Sequence, residues 1–460
     1  MKKILAIVAM AAMVAGAAFA DPEANVAITT FAGRAGTEWG VDLDSDDVGT
    51  GFKNYASVDF VISLFDAGSK QTEGEGIWAE LSVDAGNNNS WNHYAANTWG
   101  GSGDITSENS FSLNIGTAKL HFYNFYVGLL SGDTTVGKLQ LTNAVRSSDN
   151  DNGTWLSAVG EDKSQGLVFG YGDNKNIGIA FDFRSKASGD NYYTNDYGLA
   201  GEFNLLDSNE FLPGLFATVG GSFAFNEKVL GAAASAGYKL AIDDTFYVKP
   251  VAGWTMQATA GDDFTVTKNA IAAGLFLGWG DTADANAGVY YLDNDNAKKV
   301  TPGVGVSALI DVTDSDAIAV TISPSLYTGS IVENLTAAVY SDIVVPTTDG
   351  AELGFGIAGG VKYAIAATDS VTVTPQAGVR YATAGLNSKG SALITANNTN
   401  NAGKNDTDNA DTKGLFNVKV GLDVSGLINN TTFKVWWQSR NLLDEGNNIG
   451  TINVGCEIAL

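Results

Sequence analysis

The chain has 460 residues, of which 17% are charged, well below the roughly 25% usual in soluble domains. A hydrophobic content of 45% excludes a wholly disordered chain, and a single Cys excludes a disulfide scaffold or a multi-thiolate metal site. The formal net charge of -25 makes nucleic acid a poor partner, because an acidic surface repels phosphate.

The first twenty residues have the organisation of a secretory signal peptide. Lys2 and Lys3 precede an apolar stretch from Ile4 to Val14, and Ala18-Phe19-Ala20 matches a small-residue cleavage site. We therefore expect cleavage after Ala20, which leaves 24 basic residues against 51 acidic ones. No later run reaches 18 apolar residues, so an exported chain of this kind is either soluble or a membrane β-barrel.

The rest of the chain shows a period of two, which is typical of strands with one apolar and one polar face. In residues 77–84, Ile, Ala, Leu and Val alternate with Trp, Glu, Ser and Asp, and residues 177–184, 246–256 and 416–424 repeat the pattern. Pro250, Pro324 and Pro375 fall in similar strand contexts, where we expect bulges or strand ends.

Short polar turns alternate with longer polar stretches. We expect the turns near 243, 315, 369 and 429 on one rim, and the stretches near 259–268, 293–300, 383–414 and 439–449 on the other. The fold predicted for residues 21–460 is all-β, a transmembrane antiparallel β-barrel of about 16–20 strands, with 85–110 and 387–414 as long polar loops. A soluble secreted all-β binding protein is the alternative, and it would need no detergent.

The last strand indicates the same fold, because its apolar face continues to the final residue, where barrels use an assembly strand. Outer-membrane barrels usually end on an aromatic residue, whereas this chain ends on Leu. The predicted C-terminal assembly strand presents Ile452, Val454, Cys456, Ile458 and Leu460.

Residues for catalysis are few, and we expect no enzyme activity, no metal site and no cofactor. The two histidines, His93 and His121, accompany no nucleophile-elbow motif, and Cys456 shares the apolar face of the last strand. The acidic run 42–47 begins like a calcium loop but has Asp47 where Gly is needed and Lys53 where Glu is needed.

The polar face of the strands is the predicted functional surface, because rings of charge tune the selectivity of a pore. With both signs in this set, we expect at most a weak cation preference, arising from acidic loops at the mouth. The pore-lining candidates are Glu80, Asp84, Lys119, Asp182, Arg184, Lys249, Lys419, Asp423 and Lys434.

One region resembles a known family. Residues 118–128 (AKLHFYNFYVG), followed by Lys138-Leu139-Gln140-Leu141 and Asn143-Ala144, resemble the N-terminal half of the treponemal major outer sheath proteins. The resemblance is specific over residues 110–150 and diffuse elsewhere. It implies a surface-exposed barrel in the bacterial outer membrane, commonly a homotrimer with porin activity, and it implies binding of host matrix proteins by some members.

The leading functional hypothesis is thus an outer-membrane porin that lets small hydrophilic solutes and ions diffuse passively. The second is an adhesin or surface antigen whose loops bind a matrix or other cell-surface ligand. Solute flux through the reconstituted protein would favour the porin. Ligand binding by isolated loop peptides would favour the adhesin. The expected partners are outer-membrane lipid and small solutes, and nucleic acid is not among them.

Overall fold

Most of the described chain is β-strand. The computed structural model describes residues 25–43, 49–65, 76–93, 112–131, 164–172, 175–188, 191–261, 263–279, 289–290, 302–314, 318–347, 352–386, 410–444 and 449–459. The first strands are β1 (Asn25–Asp42), β2 (Gly49–Phe65), β3 (Ile77–His93), β4 (Ser112–Phe122), β5 (Phe125–Ser131), β6 (Ser164–Gly172), β7 (Ile177–Ser188), β8 (Asn191–Leu205), β9 (Leu215–Ala224), β10 (Val229–Tyr238) and β11 (Leu240–Ala241).

The second half of the chain continues in the same way, with one helical turn. Its strands are β12 (Tyr247–Ala260), β13 (Phe264–Gly278), β14 (Gly303–Asp311), β15 (Ala319–Tyr327), β16 (Leu335–Pro346), β17 (Gly354–Tyr363), β18 (Ile365–Ala366), β19 (Thr372–Ala382), β20 (Leu415–Ser425), β21 (Thr431–Gln438) and β22 (Thr451–Ala459). The four-residue turn α1 (Ala410–Lys413) precedes β20.

The strands pair antiparallel in sequence order, and the sheet returns to its first strand. β22 pairs with β1, from Arg34 opposite Ala459 to Asp42 opposite Thr451. The two-residue strands β11 and β18 continue β10 and β17, so the 22 strands of the described residues occupy twenty positions in the ring. An even number allows antiparallel pairing all the way round. The predicted all-β antiparallel barrel of about 16–20 strands is confirmed.

The two faces of the sheet carry different side chains, because successive residues of a strand point to opposite faces. One face carries Val420 and Val454, which are 42% and 46% exposed. The other carries Asn417 and Asn453, which are buried. The exposed, apolar face is the outer face of the closed sheet, and the packed, polar face is its inner face.

The three strand prolines each interrupt one ladder. Pro250 faces the break between β10 and β11, and Pro375 faces the break between β17 and β18. Pro324 lies where pairing of β15 with β16 stops after Ile322 and resumes at Ser325. Proline lacks the N–H that a ladder needs, so each break follows directly from the residue type. The register continues across every gap and each proline lies inside its strand, so these are interruptions, and neither the bulges nor the strand ends expected from the sequence.

The connections alternate between two rims, because every strand reverses the direction of the one before. The short-turn rim holds the turns near 243, 369 and 429, as predicted. The turn near 315 joins β14 to β15 on the opposite, long-loop rim, and residues 293–300 belong to the β13–β14 connection on the short-turn rim. Those two expectations were wrong because a single strand, β13, separates 259–268 from 293–300.

The N-terminal region is part of the same ring, since residues 25–42, 49–65 and 77–93 form β1, β2 and β3. The loop expected at 85–110 begins later than predicted, because β3 pairs with β2 as far as His93. Strands pair through their backbone groups, so the polar side chains of residues 85–93 do not prevent the pairing. Residues 1–20, 94–110, 387–409 and Leu460 lie outside the described residues, so the signal peptide and the remaining loop assignments stay predictions.

The turn between β11 and β12 is held by its own carboxylate, as the sequence predicts for an Asx residue. Asp243 Oδ1 accepts hydrogen bonds from the N–H groups of Thr245, at 2.8 Å, and Phe246, at 2.7 Å. These bonds favour the charged form and hold the pKa of Asp243 below its usual value.

The turn between β8 and β9 is organised by one buried amide. Asn209 Nδ2 donates to the carbonyl oxygens of Leu206, Leu212 and Leu215 at 2.6, 3.2 and 2.7 Å. Its Oδ1 accepts the N–H of Leu212 at 2.7 Å. The side chain is fully buried, so it takes the place of water for the backbone groups of this turn.

We expect Asn209→Ala to lower the free energy of unfolding by roughly 1–3 kcal/mol, because the turn loses the four hydrogen bonds of this buried side chain. Urea unfolding in detergent micelles, followed by Trp fluorescence, measures the change. The matched control is Ser208→Ala, an exposed neighbour with one bond to the Lys175 carbonyl oxygen at 2.7 Å, for which we expect about 0.5 kcal/mol or less. Equal effects of the two substitutions would contradict the role of Asn209.

Candidate pore lining

The inner face holds every predicted pore-lining residue whose side chain the structure describes. Cross-strand pairing places them on one face: Asp182 is opposite Ala200, Lys419 is opposite Gly378, and Asp423 is opposite Lys434. The side chains of Glu80, Asp84 and Arg184 lie outside the described residues, although their strands are described. The candidates on the inner face are Lys119, Asp182, Lys249, Lys419, Asp423 and Lys434.

Three of the candidates form one group. Asp423 is attracted electrostatically by Lys419 and Lys434 and also by Lys362 of β17, which the sequence prediction missed. Lys434 Nζ lies 3.4 Å from Glu457 Oε1 of β22, also missed. The group therefore extends across β17, β20, β21 and β22. Lys119, Asp182 and Lys249 stand elsewhere on the inner face.

Lys419 lies between two aromatic side chains. Its Nζ is 4.2 Å from the centre of the Tyr290 ring and 5.4 Å from that of Trp436. An ammonium over a ring face is attracted by the electron-rich face, an interaction of about 0.5–2 kcal/mol. Tyr290 belongs to no strand. It comes from the β13–β14 connection, so this connection reaches the wall that holds Lys419.

Val289 and Tyr290 are the described residues within that connection, and both are buried. Val289 packs in a cluster on the inner face with Ala338, Tyr340, Ala358 and other residues. The connection leaves the ring at Gly278 and rejoins it at Gly303. Val289 and Tyr290 nevertheless contact β16, β17 and β20, which lie beyond the next strands, β14 and β15. A segment of the chain thus lies inside the ring, against the inner face.

Two glycines make room for this segment. A Cβ on Gly360 would lie 2.9 Å from the Tyr290 carbonyl oxygen, and one on Gly421 would lie 2.3 Å from the Tyr290 hydroxyl oxygen. Either distance is too short for a real contact, so the missing side chains are what lets the segment approach. In the sequence, the only sign of this inward segment is the apolar run Val289-Tyr290-Tyr291-Leu292 inside an otherwise polar connection.

Two sets of buried, hydrogen-bonded polar side chains lie on this part of the inner face. Asp342 Oδ1 accepts hydrogen bonds from Ser323 Oγ, at 2.5 Å, and from the Tyr340 hydroxyl, at 2.7 Å. Arg380 Nε donates to Asn417 Oδ1 at 3.1 Å. Buried charges persist when hydrogen bonds replace water, and these bonds link β15 with β16 and β19 with β20. Two of these four strands, β16 and β20, also contact the inner segment.

The structure also places His121 and Cys456, for which the sequence predicts no catalytic role. His121 stacks on Trp78 with ring centres 3.7 Å apart. Cys456 lies on the outer face with Ile452, Val454 and Ile458, and the role of this strand in assembly stays a prediction. Among the residues the structure describes, no three His, Cys, Asp or Glu side chains are placed to hold a metal ion.

No helix in the described part of the chain is long and apolar enough to cross a membrane.

A closed antiparallel sheet with an apolar outer face and a charged inner face defines a class of protein, the outer-membrane β-barrel. Lipid can cover the outer face, and every strand finds its backbone partners inside the sheet.

The relatives agree with this class. The chain is 24% identical to the major outer membrane protein MspA of Treponema maltophilum over 96% of its length and 95% of the relative. It is 25% identical to the major surface protein MspTL of Treponema lecithinolyticum over 95% of its length and 93% of the relative. The chain is a homologue of the treponemal major outer membrane and surface proteins, and the predicted outer-membrane localisation is confirmed. The homotrimer and the matrix or cell-surface ligand stay predictions.

Solved structures show only distant likeness, and no family model matches the chain. OpdL of Pseudomonas aeruginosa overlaps 94% of this chain and 98% of its own with 10% identity and a TM-score of 0.38. The OmpF–daunomycin complex of Salmonella typhi overlaps 94% and 97% with 9% identity and a TM-score of 0.35. The assignment of the fold rests on the strand pairings of the chain itself.

Because the outer face contacts lipid, a charged side chain introduced there should destabilise the barrel. Val435→Arg places a guanidinium in lipid and should destabilise the folded barrel by about 2–4 kcal/mol, the cost of Arg near the middle of a bilayer. Lys434→Arg, one residue away on the inner face, should leave stability nearly unchanged. The urea midpoint in lipid vesicles, read from the heat-modifiable mobility of the folded form, compares the two. Equal tolerance of both would contradict the assignment of the faces.

Proposed function

We propose that the protein is a porin, through which small hydrophilic solutes and ions cross the outer membrane passively, with no covalent step and no cofactor. One observation supports this most strongly: the closed sheet encloses charged side chains, including Lys119, Lys249, Lys419 and Asp423, behind an apolar outer face. Charged side chains are costly to enclose unless water or a partner group reaches them. A water-filled lumen would hydrate the charges on the inner face.

The inner segment supports a restricted lumen. Twenty strands spaced about 4.8 Å apart and tilted by about 40° would enclose a ring roughly 40 Å across between backbones. A lumen of that width, lined by side chains alone, would sieve small solutes poorly. Because Val289 and Tyr290 lie inside the ring, the β13–β14 connection reduces the open cross-section. We propose that this segment sets the upper size of the solutes that pass.

Planar-bilayer recording of the detergent-purified full chain tests the pore directly. We expect stepwise conductance proportional to voltage, and entry of small sugars into proteoliposomes that slows as the sugars become larger. Protein that gives neither conductance nor sugar entry would overturn the proposal and leave a surface-binding role to be examined.

A substitution at Tyr290 tests whether the inner segment limits the size of the solutes that pass. Tyr290→Ala removes the ring that packs on Gly421 and Lys419, and it should raise single-channel conductance and admit larger sugars. Tyr381→Ala removes the same ring from the outer face and should leave both unchanged. Channels that respond equally to the two substitutions would show that the inner segment does not restrict the lumen.

A further inference from the structure

We propose that three turns of the short-turn rim are lipid anchors, whose apolar tips enter the boundary of the membrane beyond the ends of the strands. These anchor turns are residues 206–214 between β8 and β9, 328–334 between β15 and β16, and 426–430 between β20 and β21. The contact they make is with lipid outside the ring, so it does not depend on conduction through the lumen.

Each anchor turn presents a pair of adjacent apolar side chains at its tip. Turns are usually built from Gly, Pro, Asn, Asp and Ser, so apolar pairs at three tips of one rim are unusual. Single exposed apolar side chains need no explanation, whereas a repeated pair points to a contact surface. The six side chains are 45–70% exposed: Phe211, Leu212, Ile331, Val332, Leu427 and Ile428.

The backbone of the three turns is built in the same way. Counted from the first residue of the apolar pair, the fourth residue has a positive φ in each turn: Gly214, Asn334 and Asn430. The N–H of the fifth residue donates to the carbonyl oxygen of the second, at 2.9, 3.3 and 3.1 Å. The carbonyl oxygen of the fourth residue accepts an N–H from the end of the next strand in the ring, at 2.7, 2.8 and 2.8 Å. Main-chain bonds therefore fix where each pair stands.

The anchor turns continue the apolar outer face of the sheet. Phe203 and Val219 are exposed on the outer face of the two strands that flank the first turn. Leu326 is exposed on the outer face just before the second turn, and Val435 just after the third. Lipid that covers the outer face therefore meets the tips of these turns next.

The height of the strands places the tips at the membrane boundary. Trp254 and Trp437 lie on the outer face, and Trp in that position marks the boundary nearer the long-loop rim. An apolar band about 25 Å tall takes about ten residues of a strand that rises about 3.3 Å per residue and is tilted by about 40°. Counting about ten residues back from Trp437 reaches Leu427, and from Trp254 it reaches Asp244. The short-turn rim thus lies at the opposite boundary, where apolar tips can enter lipid and acidic turns can meet headgroups.

The distribution of the anchor turns around the ring favours lipid over a protein partner. Six ring positions separate the first from the second, four separate the second from the third, and ten complete the circle. A bilayer surrounds the whole barrel and reaches all three turns at once. A protein bound to one side of the rim would leave at least one pair exposed to water.

Spin labels on single cysteines test where the tips lie. The full chain carries Cys456→Ser to remove its native thiol, and Leu212→Cys, Val332→Cys or Ile428→Cys introduces one thiol at an anchor turn. In reconstituted lipid vesicles, we expect collisions with oxygen, which concentrates in lipid, to exceed collisions with a water-soluble nickel chelate at all three positions.

Two further labelled positions calibrate the comparison. Val435→Cys places the label on the outer face, where oxygen collisions should dominate. Glu227→Cys places it at the exposed tip of the short β9–β10 turn on the long-loop rim, where nickel collisions should dominate.

A charge at one tip provides a second measurement. Ile428→Asp should lower the urea midpoint in lipid vesicles, because a carboxylate is costly to bring into lipid. Asn429→Asp adds the same charge to the neighbouring residue of the same turn and should lower the midpoint less. Equal midpoints for the two variants would contradict insertion of the Ile428 side chain.

The collision data decide between lipid, water and protein as the surroundings of the tips. Nickel collisions that exceed oxygen collisions at the three tips would place the turns in water and overturn the anchors. Low rates with both reagents would show that protein, such as a second copy of the chain, covers the tips, and would overturn the anchors as well. Either result would leave the porin proposal standing, because conductance is measured independently.

Discussion

The requirement that every backbone N–H and C=O find a partner inside the sheet governs this structure. Lipid offers no hydrogen bonds, so an open edge within it would leave a row of unpaired groups, each costing several kcal/mol. The pairing of β22 with β1 removes that edge. Once the ring is closed, each strand has one face for lipid and one for the interior, and the alternation of residues follows from this division. The charged inner face, the inner segment and the proposed pore all depend on closure.

Strands and faces could be predicted from the sequence because both are local properties. A period of two is visible in any strand of eight residues, and it placed Asp182, Lys249 and Asp423 on the inner face with Phe181, Val248 and Val424 opposite. The interrupted ladders were also visible in part, since proline lacks a donor wherever it stands. That the register continues across each gap depends on the neighbouring strand, which the local sequence does not show.

The inner segment and its contact with Lys419 could not be predicted in the same way, because they join distant parts of the chain. Tyr290 meets Gly421 and Lys419 more than a hundred residues later in the sequence. A polar connection that turns inward has the same composition as one that points to solvent. Two connections were assigned to the wrong rim for a related reason: the rim of a connection depends on the number of strands before it, and only one strand, β13, separates 259–268 from 293–300. The high glycine content predicts strands and loops, but it does not show that several glycines leave the space that an aromatic ring of a neighbouring strand occupies.

The seam between β1 and β22 also constrains how the barrel forms. Arg34 and Ala459 are more than four hundred residues apart in sequence, so their contact closes the longest loop that the ring contains. Contacts of such separation form late and slowly, because the chain entropy must be lost before any bond compensates for it. Until then both strands present free edges with apolar residues such as Trp39 and Val454 beside them, the combination that leads to edge-to-edge aggregation. A chain of this topology should therefore need protection from aggregation, by a chaperone, between export and insertion. The slow step of its biogenesis should be the pairing of its first and last strands.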